Sequence, residues 1–85
     1  MENKTSYLAA KIDGLDLTLQ VIQRELTHIK NAKMDRINNA DQRVLQGAYN
    51  LAKREVDCIL QLDHEVYLLN KINSAIIVER EKLTL

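Results

Sequence analysis

The stretch from Val44 to Val78, VLQGAYNLAKREVDCILQLDHEVYLLNKINSAIIV, decides the fold. It contains no proline, and at about 100° per residue its apolar residues fall on two adjoining stripes. The first stripe consists of Val44, Ala48, Leu51, Ile59, Leu62, Val66, Leu69 and Ile76. The second stripe consists of Leu45, Tyr49, Val56, Leu60, Tyr67 and Val78. A surface helix needs one apolar stripe, so a helix with two stripes is expected to have neighbours on two sides.

Length and composition favour a small all-α protein. The 85 residues make at most one domain. Two glycines and no proline leave little material for the tight turns of all-β or α/β folds. A chain of this size is marginally stable alone, so oligomerisation or a partner is an ordinary remedy. The formal net charge of zero argues against a nonspecific nucleic-acid binder, which usually carries a basic excess.

An apolar ladder upstream supplies the first neighbour. Its members are Leu8, Ile12, Leu15, Leu19, Ile22, Leu26 and Ile29, with spacings that alternate between four and three. This spacing is typical of a helix that packs along another helix. Gly14 lies within the ladder and costs about 1 kcal/mol relative to alanine in a helix interior. We expect one continuous helix through Gly14, with a kink or a separate short N-terminal helix as the alternative.

The segment Asn38-Asn39-Ala40-Asp41 has the composition of a turn between two helices. It predicts an antiparallel helical hairpin in one domain over residues 1–85, with a coiled-coil-like contact between its two long helices. Helix 1 is expected at about 5–37, the turn at 38–40 and helix 2 at about 40–80.

The position of this turn fixes the expected pairing of the helices. Residue i of helix 1 should face roughly residue 77 − i of helix 2. The expected neighbours are Leu26 with Leu51, Leu19 with Ile59, and Leu8 with Leu69. Residues beyond about Ile72 should then overhang helix 1 and lack a surface to pack on.

No motif for catalysis or metal binding is complete. His64-Glu65 begins like the HExxH zinc helix, but Leu68 stands where the second histidine is required. His28 has Arg24 and Ala32 at the adjoining helical positions, which offers no metal site. We therefore predict no enzyme activity, no metal and no cofactor.

The sequence predicts a cytoplasmic protein. Cys58 is the single cysteine, so the chain forms no internal disulfide and suits a reducing compartment. We expect it to be a buried structural thiol. No signal peptide and no apolar run long enough to cross a bilayer are recognisable, so we expect no membrane insertion.

The second stripe of helix 2 is the predicted partner surface. Tyr49, Val56, Leu60 and Tyr67 recur at spacings of seven, four and seven, and we name this row the outer line. Its two tyrosines suit a partly wet interface, because each has a large apolar body and a polar tip. The full set of predicted partner-binding residues is Tyr49, Val56, Leu60, Tyr67, Ile76, Ile77 and Val78. The alternative is that packing within the hairpin covers the outer line.

The segment Asn73-Ser74-Ala75-Ile76-Ile77-Val78-Glu79 resembles the Asn-Ser-Ala-aliphatic-aliphatic-Val ending of a known protein family. This family comprises the small co-chaperones of type III secretion needle subunits, of the YscE/SsaE/EscE type. Elsewhere the likeness is one of length, polar turn and heptad hairpin, which many coiled coils share.

The resemblance implies a co-chaperone in the bacterial cytoplasm, or one associated with the secretion apparatus at the membrane. Such a protein binds a TPR-like helical-repeat chaperone, and the pair holds the needle subunit, or in some members a translocator, as a monomer before export. The alternative function is a self-assembling structural or regulatory coiled coil, in which the second stripe closes a homodimeric four-helix bundle. We expect a homodimer or higher oligomer when the protein is alone, and no nucleic-acid partner.

Overall fold

The protein is an antiparallel hairpin of two long helices. The computed structural model describes residues 2–84, with side chains described for residues 6–84. Helix α1 spans Glu2–Leu45 and helix α2 spans Tyr49–Thr84, and the two pack against each other along their length. The Cα atoms fill a rod of 69 × 15 × 14 Å. The predicted all-α hairpin is therefore confirmed.

The turn lies at Gln46–Ala48, so the predicted turn at residues 38–40 is wrong. Gly47 has a φ of 74°, the only positive φ over residues 2–84. The amide of Ala48 donates to the carbonyl of Arg43 at 2.8 Å, and the amide of Gly47 donates to the carbonyl of Val44 at 3.0 Å. These two bonds form the Schellman motif, which ends a helix at a glycine in the left-handed conformation. The predicted end of helix 1 at residue 37 and start of helix 2 at residue 40 are wrong for the same reason.

Helix α1 continues through Asn38 and Asn39 because apolar residues of this segment still pack against α2. Ile37 and Ala40 are half-buried, whereas Asn38, Asn39 and Asp41 are exposed. A solvated asparagine costs no more than about 0.7 kcal/mol in a helix relative to alanine. A tight turn needs a positive φ, which glycine adopts most readily. The packing of Ile37 and Ala40 therefore outweighs the turn preference of the asparagines.

The position of the turn also changes the pairing of the helices. Lys33 Nζ lies 2.6 Å from Asp63 Oδ1, and Arg36 Nη1 donates to Glu55 Oε2 at 3.0 Å. At the far end of the rod, Arg80 of α2 pairs with Asp16 of α1. Residue i of α1 therefore faces roughly residue 94 − i of α2. The predicted register is wrong, including its neighbours Leu26 with Leu51, Leu19 with Ile59, and Leu8 with Leu69.

The predicted overhang of helix 2 is wrong as well. Ile76 is half-buried, and Arg80 still reaches Asp16, so α1 covers α2 close to its end at Thr84. The overhanging segment belongs to α1 instead. Leu8 lies beyond the level of Thr84 and is 41% exposed, because it has no α2 residue opposite it among those described.

The surface on which the helices meet, here called the seam, follows the heptad spacing. It begins with Ala48 of the turn, and on α2 its members are Ala52, Glu55, Ile59, Leu62, Val66, Leu69, Asn73, Ile76, Arg80 and Leu83, all buried or half-buried. On α1 the ladder from Ile12 to Ile29 is extended by Lys33, Ile37 and Ala40. Over residues 6–84 only Ile22, Ile29 and Ala52 are buried hydrophobic residues, each 6% exposed. The core is thus a thin strip between two helices.

Helix α1 passes through Gly14 without interruption, so the alternative of a separate N-terminal helix is wrong. The hydroxyl of Thr18 donates to the carbonyl of Gly14 at 2.8 Å within this turn of the helix. The rod length of 69 Å is close to the roughly 66 Å that a straight helix of the length of α1 spans. The helix therefore has no sharp kink at this glycine.

Candidate interaction surface

The four residues of the outer line all face away from the seam. Their exposed fractions are 68% for Tyr49, 46% for Val56, 61% for Leu60 and 56% for Tyr67. All four lie on one side of α2, because their spacings of seven, four and seven bring each residue back to nearly the same angle. The alternative was that packing within the hairpin covers this row. The packing observed in the hairpin leaves each of these four side chains about half exposed or more.

The three C-terminal residues of the predicted site lie on different sides of α2. Ile76 is a half-buried member of the seam, because α1 continues past its level. Ile77 is 40% exposed and lies on the same side as the outer line. Val78 is 49% exposed, about 100° further around the helix. The structure therefore groups Ile77 with the outer line and separates Ile76 from it.

Helix α1 adds apolar residues on the same side that the predicted partner site does not include, among them Val44, which was predicted to belong to helix 2. A groove between the helices is lined by Lys30 of α1 and by Asp63 and Asn70 of α2, so these residues share one side of the hairpin. On α1, Ile37 and Val44 follow Lys30 at intervals of seven residues, so they lie on the same side of the helix as Lys30. On α2, Val56 and Tyr49 precede Asp63 at intervals of seven residues, so they lie on the same side as Asp63. The observed register then places Val44 beside Tyr49 and Ile37 beside Val56.

The result is a largely apolar surface over the turn half of the hairpin, here called the apolar face, in which the exposed Asp41, Lys53 and Asp63 lie between apolar residues. It is formed by Met34, Ile37 and Val44 of α1 together with the outer line of α2. Met34 is 53% exposed, Val44 is 50% exposed and Ile37 is half-buried. The signal for the α1 residues was their heptad spacing, but only the correct register places them next to the outer line.

Charged side chains lie within the apolar face, and an aromatic cluster lies at one end of it. Lys53 and Asp63 lie on the same row as the outer line, between its apolar members, and both are exposed. At the end farthest from the turn, the ring of Tyr67 stacks with His64 at 6.4 Å between centroids. The ammonium of Lys71 lies 5.4 Å from the centre of the same ring, within cation–π range. These contacts hold Tyr67 in place while leaving it 56% exposed.

The opposite side of the hairpin is less apolar. Leu68 and Ile72, 45% and 50% exposed, border a groove of about 460 Å³. Glu25 and Glu65 also line this groove, one on each helix. Two carboxylates facing each other across a narrow apolar strip oppose close packing of another apolar surface. The apolar face is therefore the stronger candidate for binding another protein.

The hairpin offers few groups for chemistry. Over residues 6–84, no group of three or more histidine, cysteine, aspartate or glutamate side chains is arranged to hold a metal ion. Cys58 is half-buried rather than fully buried. The grooves found on the described surface are open and lie along the helices. The prediction of no enzyme activity stays a prediction.

Within the part of the chain that the structure describes, neither helix carries an apolar stretch long enough to cross a bilayer. Comparison with protein-family models, with curated proteins and with solved structures finds no match to this chain.

Proposed function

We propose that the protein is an interaction module that docks the apolar face of its hairpin onto a helical partner. The observation that carries this proposal is the outer line: four large apolar side chains in one row, each between 46% and 68% exposed. Apolar patches of this kind, rimmed by polar residues, mark protein–protein interaction sites. Docking one helix face into an apolar groove is a common mode of recognition.

The specific form of the proposal is a co-chaperone of a bacterial type III secretion system. It is supported by the resemblance of the segment 73–79 to that family and by the hairpin fold, which suits such a role. The partner is a TPR-like helical-repeat chaperone, and the pair keeps the needle subunit, or a translocator, monomeric before export. The site of action in this proposal is the bacterial cytoplasm, with the secretion apparatus at the membrane as the alternative location.

Within this proposal each part of the apolar face has its own task. Leu60 lies near the middle of the outer line, where water is most completely excluded on binding. Tyr49 and Tyr67 lie at its two ends, where each ring covers apolar surface and each hydroxyl stays in contact with water or a polar group. Met34 and Val44 widen the contact across α1.

Co-purification with a co-expressed helical-repeat chaperone tests the proposal. Leu60→Asp should keep its helical circular dichroism signal and lose the chaperone, because burying an unpaired carboxylate in an interface costs several kcal/mol. Gln61→Asp is the matched control, since Gln61 is exposed on α2 but points away from the outer line. Wild-type yield of chaperone with Leu60→Asp would remove the apolar face from the interface.

A further inference from the structure

The hairpin alone leaves its helices poorly covered. Only three hydrophobic residues over positions 6–84 are buried, and no side chain there is fully buried. A two-helix contact of this kind supplies little of the buried apolar area that stabilises a domain of this size. A further layer of helices on the apolar face would supply it, and the pattern of residues on that face indicates which helices these are.

The spacing of the apolar residues in the outer line of α2 is the same in both chain directions. The spacings of seven, four and seven are symmetric about a point midway between Val56 and Leu60. If two copies of α2 pack antiparallel about that point, Tyr49 meets Tyr67 of the second copy and Val56 meets Leu60. Apolar residues then meet apolar residues along the whole row.

The charged residues of the same row have the same symmetry. Lys53 and Asp63 lie at equal distances from the midpoint between Val56 and Leu60. In the antiparallel arrangement, Lys53 of each copy therefore faces Asp63 of the other. Because Asp63 also accepts Lys33 of its own chain at 2.6 Å, each carboxylate would receive two ammonium groups.

Helix α1 repeats this symmetry with different residues. Lys30, Met34, Ile37 and Asp41 lie on its apolar side at spacings of four, three and four. Antiparallel packing of two copies about the midpoint of this row brings Met34 against Ile37 and Lys30 against Asp41. Apolar residues again meet apolar residues, and opposite charges again meet.

The two centres of symmetry lie at the same level of the hairpin. The pair Arg36–Glu55 lies just on the turn side of both midpoints, and the pair Lys33–Asp63 lies just on the other side of both. A single two-fold axis perpendicular to the rod therefore produces both the α1–α1 pairing and the α2–α2 pairing. The hairpin itself does not require this agreement, since each row could be symmetric about any level.

From this agreement we infer that the apolar face is the interface of a two-fold homodimer. Two hairpins pack face to face as an antiparallel four-helix bundle, with α1 on α1 and α2 on α2. Six side chains of the face, namely Met34, Val44, Tyr49, Val56, Leu60 and Tyr67, are 46–68% exposed in the single hairpin. A fully buried aromatic side chain removes about 150–250 Å² from water, so the exposed parts of the two tyrosines and of the four smaller side chains together offer on the order of 500 Å² per copy. With a polar rim this approaches the roughly 800 Å² per partner of a standard interface.

The dimer uses the surface that the proposed function assigns to the partner, so dimer and partner complex exclude each other. The dimer does not depend on the proposed function, because it is a property of the isolated protein. A protein that forms the dimer but does not bind the chaperone would contradict the proposed function alone. A protein that binds the chaperone but stays monomeric on its own would contradict the dimer alone.

Complementary charge variants test the dimer. Light scattering coupled to size exclusion should give the wild type about twice its chain mass of 9.8 kDa at high concentration. Lys53→Asp places one carboxylate opposite each Asp63 of the other copy, and Asp63→Lys places one ammonium group opposite each Lys53. Each variant alone should weaken the dimer about tenfold or more. An equimolar mixture should restore the dimer mass, because the mixed dimer regains two opposite-charge pairs.

Arg54→Asp is the control, since Arg54 is exposed on α2 beyond the apolar face and its reversal should leave the dimer intact. Circular dichroism of each variant verifies the hairpin. A wild type that keeps the mass of one chain at millimolar concentration would overturn the inference. Failure of the mixture to regain the dimer mass, with both variants helical, would overturn the proposed symmetry.

Discussion

Arg80 of α2 donates two hydrogen bonds to the carboxylate of Asp16 on α1, and one of them joins Nη2 to Oδ2 at 3.2 Å. The two residues are 64 positions apart in the chain and hold together the end of the hairpin farthest from the turn. These hydrogen bonds are the largest cause of a lowered pKa of Asp16, with the charge of Arg80 adding to them and desolvation opposing them. The same pair raises the pKa of Arg80.

The lowered pKa of Asp16 predicts a pH-dependent stabilisation. A carboxyl group whose pKa is lower in the folded state stabilises the fold above its unfolded value, about 3.9, and this contribution is lost as the pH falls through the lower folded value. Asp16→Asn should therefore lower the melting temperature at pH 7 and have a smaller effect at about pH 3. Asp13→Asn, at an exposed position, is the control. An equal deficit at both pH values would show that the ion pair is not the cause.

The two glycines should respond to alanine in opposite directions. Gly14 lies in the interior of α1 with open space where the Cβ of an alanine would stand, so Gly14→Ala should stabilise the protein by about 0.4–1 kcal/mol. Gly47 also has open space, but its φ of 74° strains any side chain, so Gly47→Ala should destabilise by about 1–2 kcal/mol. Urea denaturation of both variants measures the difference. If both alanines stabilised the protein, the turn would not lie at Gly47.

Substitutions of apolar side chains of α1 by alanine should show where the seam begins. Ile22→Ala and Ile29→Ala should each cost about 2–4 kcal/mol, since both side chains are 6% exposed and leave a cavity. Leu8→Ala should cost less than about 1 kcal/mol, because Leu8 is 41% exposed beyond the end of α2. Thermal melts compare the three variants at one concentration. A loss at Leu8 as large as that at Ile29 would mean that the register is different and that the C-terminal part of α2 lies opposite Leu8.

Asn73 should be replaceable by an apolar residue with a gain in stability. It occupies a seam position, and its Oδ1 is buried without a hydrogen bond to any described residue. Because an unsatisfied buried polar atom is costly, Asn73→Leu should raise the free energy of unfolding by about 1 kcal/mol or more. Asn70→Leu, at an exposed position on the same helix, should have little effect. A lower melting temperature for Asn73→Leu would mean that the amide is needed in the seam.

The fold class was predictable because the spacing of Leu8 to Ile29 depends only on residues within one helix. The turn was not, because two weak signals competed. The asparagines at 38 and 39 have good turn composition, but their helix cost is small and Ile37 continues the seam. Gly47 looked unremarkable in an apolar stretch, although only its freedom to take a positive φ permits the reversal.

The candidate site shows the same division. The outer line lies on α2 alone, so its four residues could be grouped from spacing without knowing what α1 does. The contribution of Met34 and Val44 depends on which part of α2 lies opposite them. Because the connection between the helices was predicted at the wrong residues, the predicted pairing of the helices was displaced by several helical turns. Ile76 was assigned to an uncovered end for this reason, and the structure places it in the seam.

The location of the turn also sets the order in which the hairpin closes. The pair Arg36–Glu55 closes a loop of 19 residues, whereas the pair Asp16–Arg80 closes one of 64. Closing the longer loop from the open chain costs about 1 kcal/mol more in chain entropy, and it becomes cheap once the shorter one has formed. We therefore expect the two helices to associate from Gly47 outward and to fray first at the opposite end. The apolar face lies in the turn half, so we expect it to be the first surface to form and the last to be lost.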